Sequence, residues 1–289
     1  MFTITLRNYK LHYLIVASFS SMYFNAPPLV HIMGKGGNVR GVTCLGDEVF
    51  IVCQGKAEVQ VFDVDTLSLK RRLPVTGLSS AGDLVSCAQN GCLYSCNSNG
   101  IYVFKIVANG NTVNWTTTRT TFKLSVTAKS NVLVTSRDTC KLMEFTADGR
   151  LLREIDLQLV SGYLCHSVQL SNGQIVVSSS RSDKRVYVIN DDGKPVQTYS
   201  GGIGSASGQI QCTCYLFVDK QGFIAAVDDV NNNVVLLSPS LTYVRELIAA
   251  GKGLPKNPFR TYFEESRRLL FVAGSGDGLL SVFKGETTI

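Results

Sequence analysis

The chain has 289 residues, with 28 Lys and Arg against 22 Asp and Glu, a formal net charge of +6 and only 17% charged residues. That charged share, below the usual quarter, and a mean hydropathy of +0.13 fit sheets packed on both faces, and no run approaches the roughly 18 apolar residues of a membrane-spanning helix. The excess charge is uneven: residues 1–46 hold Arg7, Lys10, Lys35 and Arg40 and no acid, so the isoelectric point alone does not argue for nucleic acid.

Residues 1–28 stand apart from the rest of the chain. Leu14 to Phe19 is apolar, preceded by Arg7, Lys10 and His12, and Ser18-Phe-Ser20 is a small-x-small triplet. A signal peptide is the minority reading. A disordered or loosely docked leader is the main one, because the run is short.

From residue 29 the chain repeats. Short apolar runs at 49–53, 92–96, 132–135, 175–178, 223–227 and 269–273 are each followed by a polar turn and a further strand. Those further strands end on Phe62, Phe104, Phe145, Ile189, Leu237 and Phe283, anchors spaced 42, 41, 44, 48 and 46 residues apart. Six units of this size are the signature of four-stranded propeller blades. The last unit lacks an outer strand, and residues 29–33 form a lone strand ahead of the first complete unit. Ring closure resolves both, since an open ring would leave sheet edges and an apolar blade face in water. The predicted fold is therefore all-β, a six-bladed β-propeller over 29–289 with residues 29–33 as the outermost strand of the last blade. Trp115 is the only tryptophan and is followed by Thr, which excludes WD-type blades. No 3.6-residue stripe extends over 12 residues, which excludes a helical solenoid.

Nine cysteines is an odd number. Most fall on predicted inner or second strands, as buried reduced thiols would, so a cytoplasmic location is expected, with secretion as the minority reading. Cys92-x3-Cys96 and Cys212-x-Cys214 lack the paired Cys-x2-Cys spacing of a zinc site. Asn114-Trp115-Thr116 is a glycosylation triplet, of consequence only in a secreted chain. The glycines at 201–208 precede a strand rather than a helix, so they read as an inter-blade loop and not a dinucleotide loop.

The segment Asp219-Lys-Gln-Gly222-Phe-Ile-Ala-Ala-Val-Asp228-Asp-Val-Asn231-Asn232-Asn233-Val resembles an NHL repeat. The chain is similar to the C-terminal propeller of tripartite-motif NHL proteins, including the Brat type. Asn233 stands where the pattern has Arg, and the other blades match in spacing more than in letters. The resemblance implies a propeller that binds a protein or a single-stranded or hairpin RNA. It also implies work beside a ubiquitin-ligase or post-transcriptional regulatory complex, whose RING would lie on another chain.

One predicted face, built from the loops between second and third strands and between blades, collects thirteen basic and six acidic residues. The opposite turns collect six basic and ten acidic residues. Candidate partner-binding residues on the basic face are Arg119, Lys123, Arg137, Lys141, Arg181, Lys184, Arg185, Lys252 and Lys256. Tyr163, Phe259 and Tyr262 are the few aromatics near it. The rival reading is a hydrolase or lyase with a cation in the central channel. Lyase- and lactonase-type propellers hold such a metal with several His, Asp or Glu residues. Of three histidines only His166 falls on an inner strand, and Asp138, Asp183, Asp229 and Asp277 recur in equivalent loops, where turn chemistry explains them. The sequence thus favours a non-catalytic, monomeric binding module without cofactor, metal or membrane association.

Overall fold

The computed structural model of the chain describes residues 22–24, 30–33, 37–98, 100–107, 112–118, 120, 123–136, 139–158, 163–180, 184–199 and 201–287. Six four-stranded antiparallel sheets make up nearly all of it, and the described residues contain no helix. Each blade is a meander. Blade one runs through Val39–Leu45, Glu48–Cys53, Glu58–Asp63 and Leu69–Pro74. The first strands of blades two to six are Ala81–Cys87, Lys123–Val126, Tyr163–Gln169, Thr213–Val218 and Pro258–Glu264. Successive first strands contact one another, and the sixth returns to the first, so they line a closed central channel.

Closure works as the missing strand predicts. Val30–Met33 pairs antiparallel with Leu279–Lys284, Val30 opposite Val282 and Met33 opposite Leu279, and completes the sixth blade. A further contact lies outside the repeat. Met22–Tyr23 pairs with Glu286–Thr287 in a two-stranded ribbon. Met22 and Phe24 are buried against Phe263 and Phe283, with the Phe24 and Phe263 rings edge-to-face at 6.2 Å. Residues 1–21 lie outside the described residues, and the leader expectation falls largely on them.

The second strands explain why the repeat is visible. Each is buried on both faces because a blade sits between two others. In blade one, Val49, Ile51 and Cys53 face blade six, while Phe50 and Val52 face blade two. Six buried apolar clusters result, one at each interface between neighbouring blades. A fully buried Val, Ile or Phe contributes roughly 1.5–3 kcal/mol, so these interfaces dominate the stability of the ring. Outer strands such as Leu69–Pro74 and Leu151–Asp156 are largely exposed and carry polar letters instead.

The acidic letters at 219 and 228 fasten turns. Asp219 Oδ1 accepts from the Gln221 and Phe223 amides, both at 2.9 Å. Asp228, fully buried, accepts from the amides of Gln211, Cys212, Val230 and Asn231. It thereby ties the start of one strand to the turn after the next. Asn231 then donates to the Gly204 carbonyl at 2.9 Å and holds the glycine-rich loop against the blade.

Candidate functional site

The channel is built in layers, and a repeated β-bulge sets them. Ladder register shifts at Arg40, Gly82, Cys165, Cys214 and Phe259, each the second residue of its first strand or the residue beside it. A bulge inserts one residue and breaks the period-two alternation. The residue after each bulge then enters the channel, and Lys123 takes the equivalent place in blade three, opposite Thr135. The six blades thus contribute Gly41, Asp83, Lys123, His166, Tyr215 and Arg260 to one layer.

That layer closes the channel. Arg260 is 1% exposed and Asp83 0%, and Arg260 Nε lies 3.2 Å from Asp83 Oδ1. The two come from blades six and two; the residue between them in the ring is Gly41. A Cβ on Gly41 would sit 2.5 Å from the Leu84 amide nitrogen, so the absent side chain both lets the strands approach and clears the path for Arg260. Arg260 also donates to the Val42 carbonyl at 3.2 Å and to the Leu84 carbonyl. Its charge lies 3.9 Å from the Tyr215 ring centre. His166 stacks on Tyr215 with centroids 3.7 Å apart, so the phenol ring is held between a guanidinium and an imidazole. Asp83 accepts in turn from the Leu84 and Leu124 amides at 2.8 and 2.9 Å.

His166 is fixed in one tautomer. The Leu216 amide donates to Nδ1 at 3.3 Å, so Nε2 carries the proton and donates to the Leu124 carbonyl at 3.1 Å. Burial, reinforced by Arg260, holds its pKa well below the ordinary value, and the ring is neutral. With both nitrogens engaged it has no lone pair for a metal. Among the described residues the histidine and carboxylate cage expected of a channel lyase is therefore not assembled.

Two cups lie on either side of this plug. The first has a volume of about 190 Å³ and opens toward the loops between blades and between second and third strands. It is lined by Arg40, Gly82, Ser98, Lys123, Cys165, Ser180, Cys212, Cys214, Asp229 and Phe259. Lys123 is 4% exposed and donates to the Gly82 carbonyl at 3.1 Å. Burial depresses its pKa, with Asp83 acting against the shift. Lys123 and Arg40 each stand 5.4 Å from the Phe259 ring centre. Cys212, Cys214 and Asp229 bring their ligating atoms within 4.8 Å of one another. The second cup, of about 180 Å³, faces the other way and is lined by Thr43, Val85, Ser125, Val168, Phe217 and Tyr262 together with the plug residues.

The candidate residues from the sequence separate in space. Arg119, Arg137 and Arg181 lie outside the described residues, as do Asp138 and Asp183. Lys123, expected on an exposed loop, is buried in the channel beside the plug, because it opens a first strand that faces the channel and not solvent. Lys141 is half-buried and ion-paired to Asp156 at 2.7 Å. Lys184 and Arg185 line a cavity of about 470 Å³ at the rim of blade four, with Tyr199, Ile203 and Ile210. Lys252 and Lys256 are exposed. Asp277 is used by its own loop, accepting from the Lys256 and Leu279 amides, so of the described loop aspartates only Asp229 reaches a cup. The plug is not apparent from the sequence reading, although its members stand 21 to 23 residues before each blade's anchor.

The fold and site define a six-bladed β-propeller whose channel is closed at mid-height and open as a basic, thiol-lined cup. No protein-family model matches the chain and no curated protein sequence matches it. Solved structures do. Selenomethionine-substituted virginiamycin B lyase from Staphylococcus aureus superposes with a TM-score of 0.65 at 12% identity, over 90% of this chain and 99% of that one. A streptogramin B lyase structure gives 0.65 at 12% identity, over 90% and 87%. A protein of unknown function from Bacteroides caccae gives 0.57 at 14% identity, over 75% and 84%. These likenesses establish the propeller fold. They also correct the expectation of a non-catalytic chain, because two of these propellers, matching nine-tenths of this chain, are named as lyases.

Proposed function

We propose that the chain is a propeller enzyme of the lyase or hydrolase class, working in the loop-face cup on a small substrate with a polarised carbonyl. The observation that carries this reading is Lys123: a buried amine in the wall of an open cup, with its pKa lowered by burial. A depressed lysine pKa enlarges the neutral fraction and suits the amine to accept a proton. In an elimination, the proton α to the carbonyl moves to the neutral Lys123 Nζ. The C–H pair becomes the new double bond, and the C–O pair leaves with a carboxylate, which the Arg40 guanidinium at the rim receives. In a hydrolysis, the same amine takes the proton of the attacking water. The names virginiamycin B lyase and streptogramin B lyase support the elimination. The NHL-type resemblance of residues 219–234 enters as a property of the blade, since its acidic positions fasten turns.

The test is turnover of an ester and lactone panel that includes a streptogramin B. Lys123→Met is expected to lower kcat by about 10²–10⁴-fold, the usual contribution of a positioned proton acceptor, with the fold retained. Unchanged turnover in that variant would overturn the assignment.

A further inference from the structure

One cluster in the cup has no part in the proton transfer. Cys212 and Cys214 belong to blade five, and the bulge at Cys214 directs both toward the channel. Asp229 comes from the turn after the next strand. Its position relative to Cys212 is fixed twice, by the Asp229 amide donating to the Cys212 carbonyl at 3.2 Å and by Asp228 accepting from the Cys212 amide at 3.1 Å. Asp229 Oδ1 is buried and has no hydrogen-bond donor. A buried carboxylate oxygen without a partner is costly, and a cation beside it removes the cost.

We propose that Cys212, Cys214 and Asp229 bind one thiophilic divalent cation of the zinc class, with the remaining coordination position facing the cup. Zinc takes thiolate sulfur at about 2.3 Å and carboxylate oxygen at about 2.0–2.2 Å in a tetrahedron, which places two sulfurs about 3.8 Å apart. The three ligating atoms already lie within 4.8 Å of one another, so side-chain adjustments of about 1 Å or less complete the set. Two sulfurs select zinc-like ions over magnesium or calcium, which prefer all-oxygen cages. Three protein ligands with one open position is the pattern of a working rather than a purely structural zinc site. Two thiolates and a carboxylate leave a single negative charge around a divalent ion, and the Arg40 guanidinium lines the same cup to offset it. The spacing Cys-x-Cys hides the site in the sequence, because the third ligand arrives through strand pairing.

The site bears on the catalytic reading but does not depend on it, and the test separates them. The full chain is reduced, stripped of metal and titrated with Co²⁺ alone, while the near-ultraviolet thiolate-to-cobalt charge-transfer band is followed. One equivalent is expected to saturate the band, and Zn²⁺ is expected to displace it. Cys212→Ser and Cys214→Ser are expected to abolish the band. Asp229→Asn, at a half-buried turn, is expected to weaken Co²⁺ by at least about tenfold, and Cys140→Ser, outside the channel, to leave it unchanged. No saturable band in the reduced wild-type protein would overturn the proposal, as would a band that survives in a folded Cys212→Ser/Cys214→Ser double variant. Cobalt binding without turnover would instead overturn the catalytic reading and leave this site standing.

Discussion

Replacing Arg260 with Met tests the channel plug most severely. The substitution keeps volume and removes charge. It strips Asp83, which is fully buried, of its ion pair with Arg260. It also removes the hydrogen bonds to the Val42 and Leu84 carbonyls and the cation over Tyr215. Removing one partner of a buried pair costs about 3–5 kcal/mol, because the remaining charge keeps its desolvation penalty. At roughly 2 °C per kcal/mol for a domain of this size, the melting temperature should fall by at least about 6 °C. Calorimetry of wild type, Arg260→Met, Asp83→Asn and the double variant forms a cycle. The double variant should lose less than the sum of the singles by more than about 1 kcal/mol, since the two residues share one interaction. A single variant melting within about 1 °C of wild type would refute the plug as a stabilising element.

Gly41→Ala should shift the urea midpoint by an amount equivalent to about 1–3 kcal/mol, because the new methyl meets the Leu84 backbone at 2.5 Å; an unshifted midpoint would mean that the strands part easily there. The neutral His166 predicts a pH dependence. Its folded pKa lies below the unfolded value, so the unfolded chain binds the extra proton, and stability is complete above about pH 6.5 and falls as pH drops below it. Urea titrations from pH 7.5 to 5 should show a slope approaching about 1.4 kcal/mol per pH unit from this group, lost in His166→Phe. Phe24→Ala should cost about 3–5 kcal/mol by opening a void against Phe263, and a variant as stable as wild type would show that the ribbon of residues 22–23 and 286–287 contributes nothing to the ring.

The blades are legible in the sequence and the channel is not, for a physical reason. Second strands such as Glu48–Cys53 and Ile224–Asp228 are buried on both faces, so every blade must repeat an apolar run at the same interval. The missing sixth outer strand can be found from the need to close the ring. The plug obeys no such rule. Gly41, Asp83, Lys123, His166, Tyr215 and Arg260 are equivalent in position but complementary in chemistry, because each must fit its neighbours across the channel and not its own blade. The bulges add a second obstacle. Period-two alternation sets Cys165 and His166 on opposite faces, yet the first lines the cup and the second lies in the plug. Lys123 reads as an exposed loop cation because it stands at the very start of its strand, yet it is buried in the channel wall. Lys252 and Lys256 are solvated, and Lys184 and Arg185 line a rim cavity on the loop face. The groups with the most unusual surroundings sit beneath it, inside the channel.

The most direct measurement is steady-state turnover of the ester and lactone panel by wild type and Lys123→Met, with folding checked by calorimetry. Wild type should show measurable turnover, and the variant should lose about 10²–10⁴-fold in kcat with KM changed far less. Equal kcat in the two proteins, or no turnover of any substrate by a folded wild type, would rule out Lys123 as the proton acceptor of a catalytic cup.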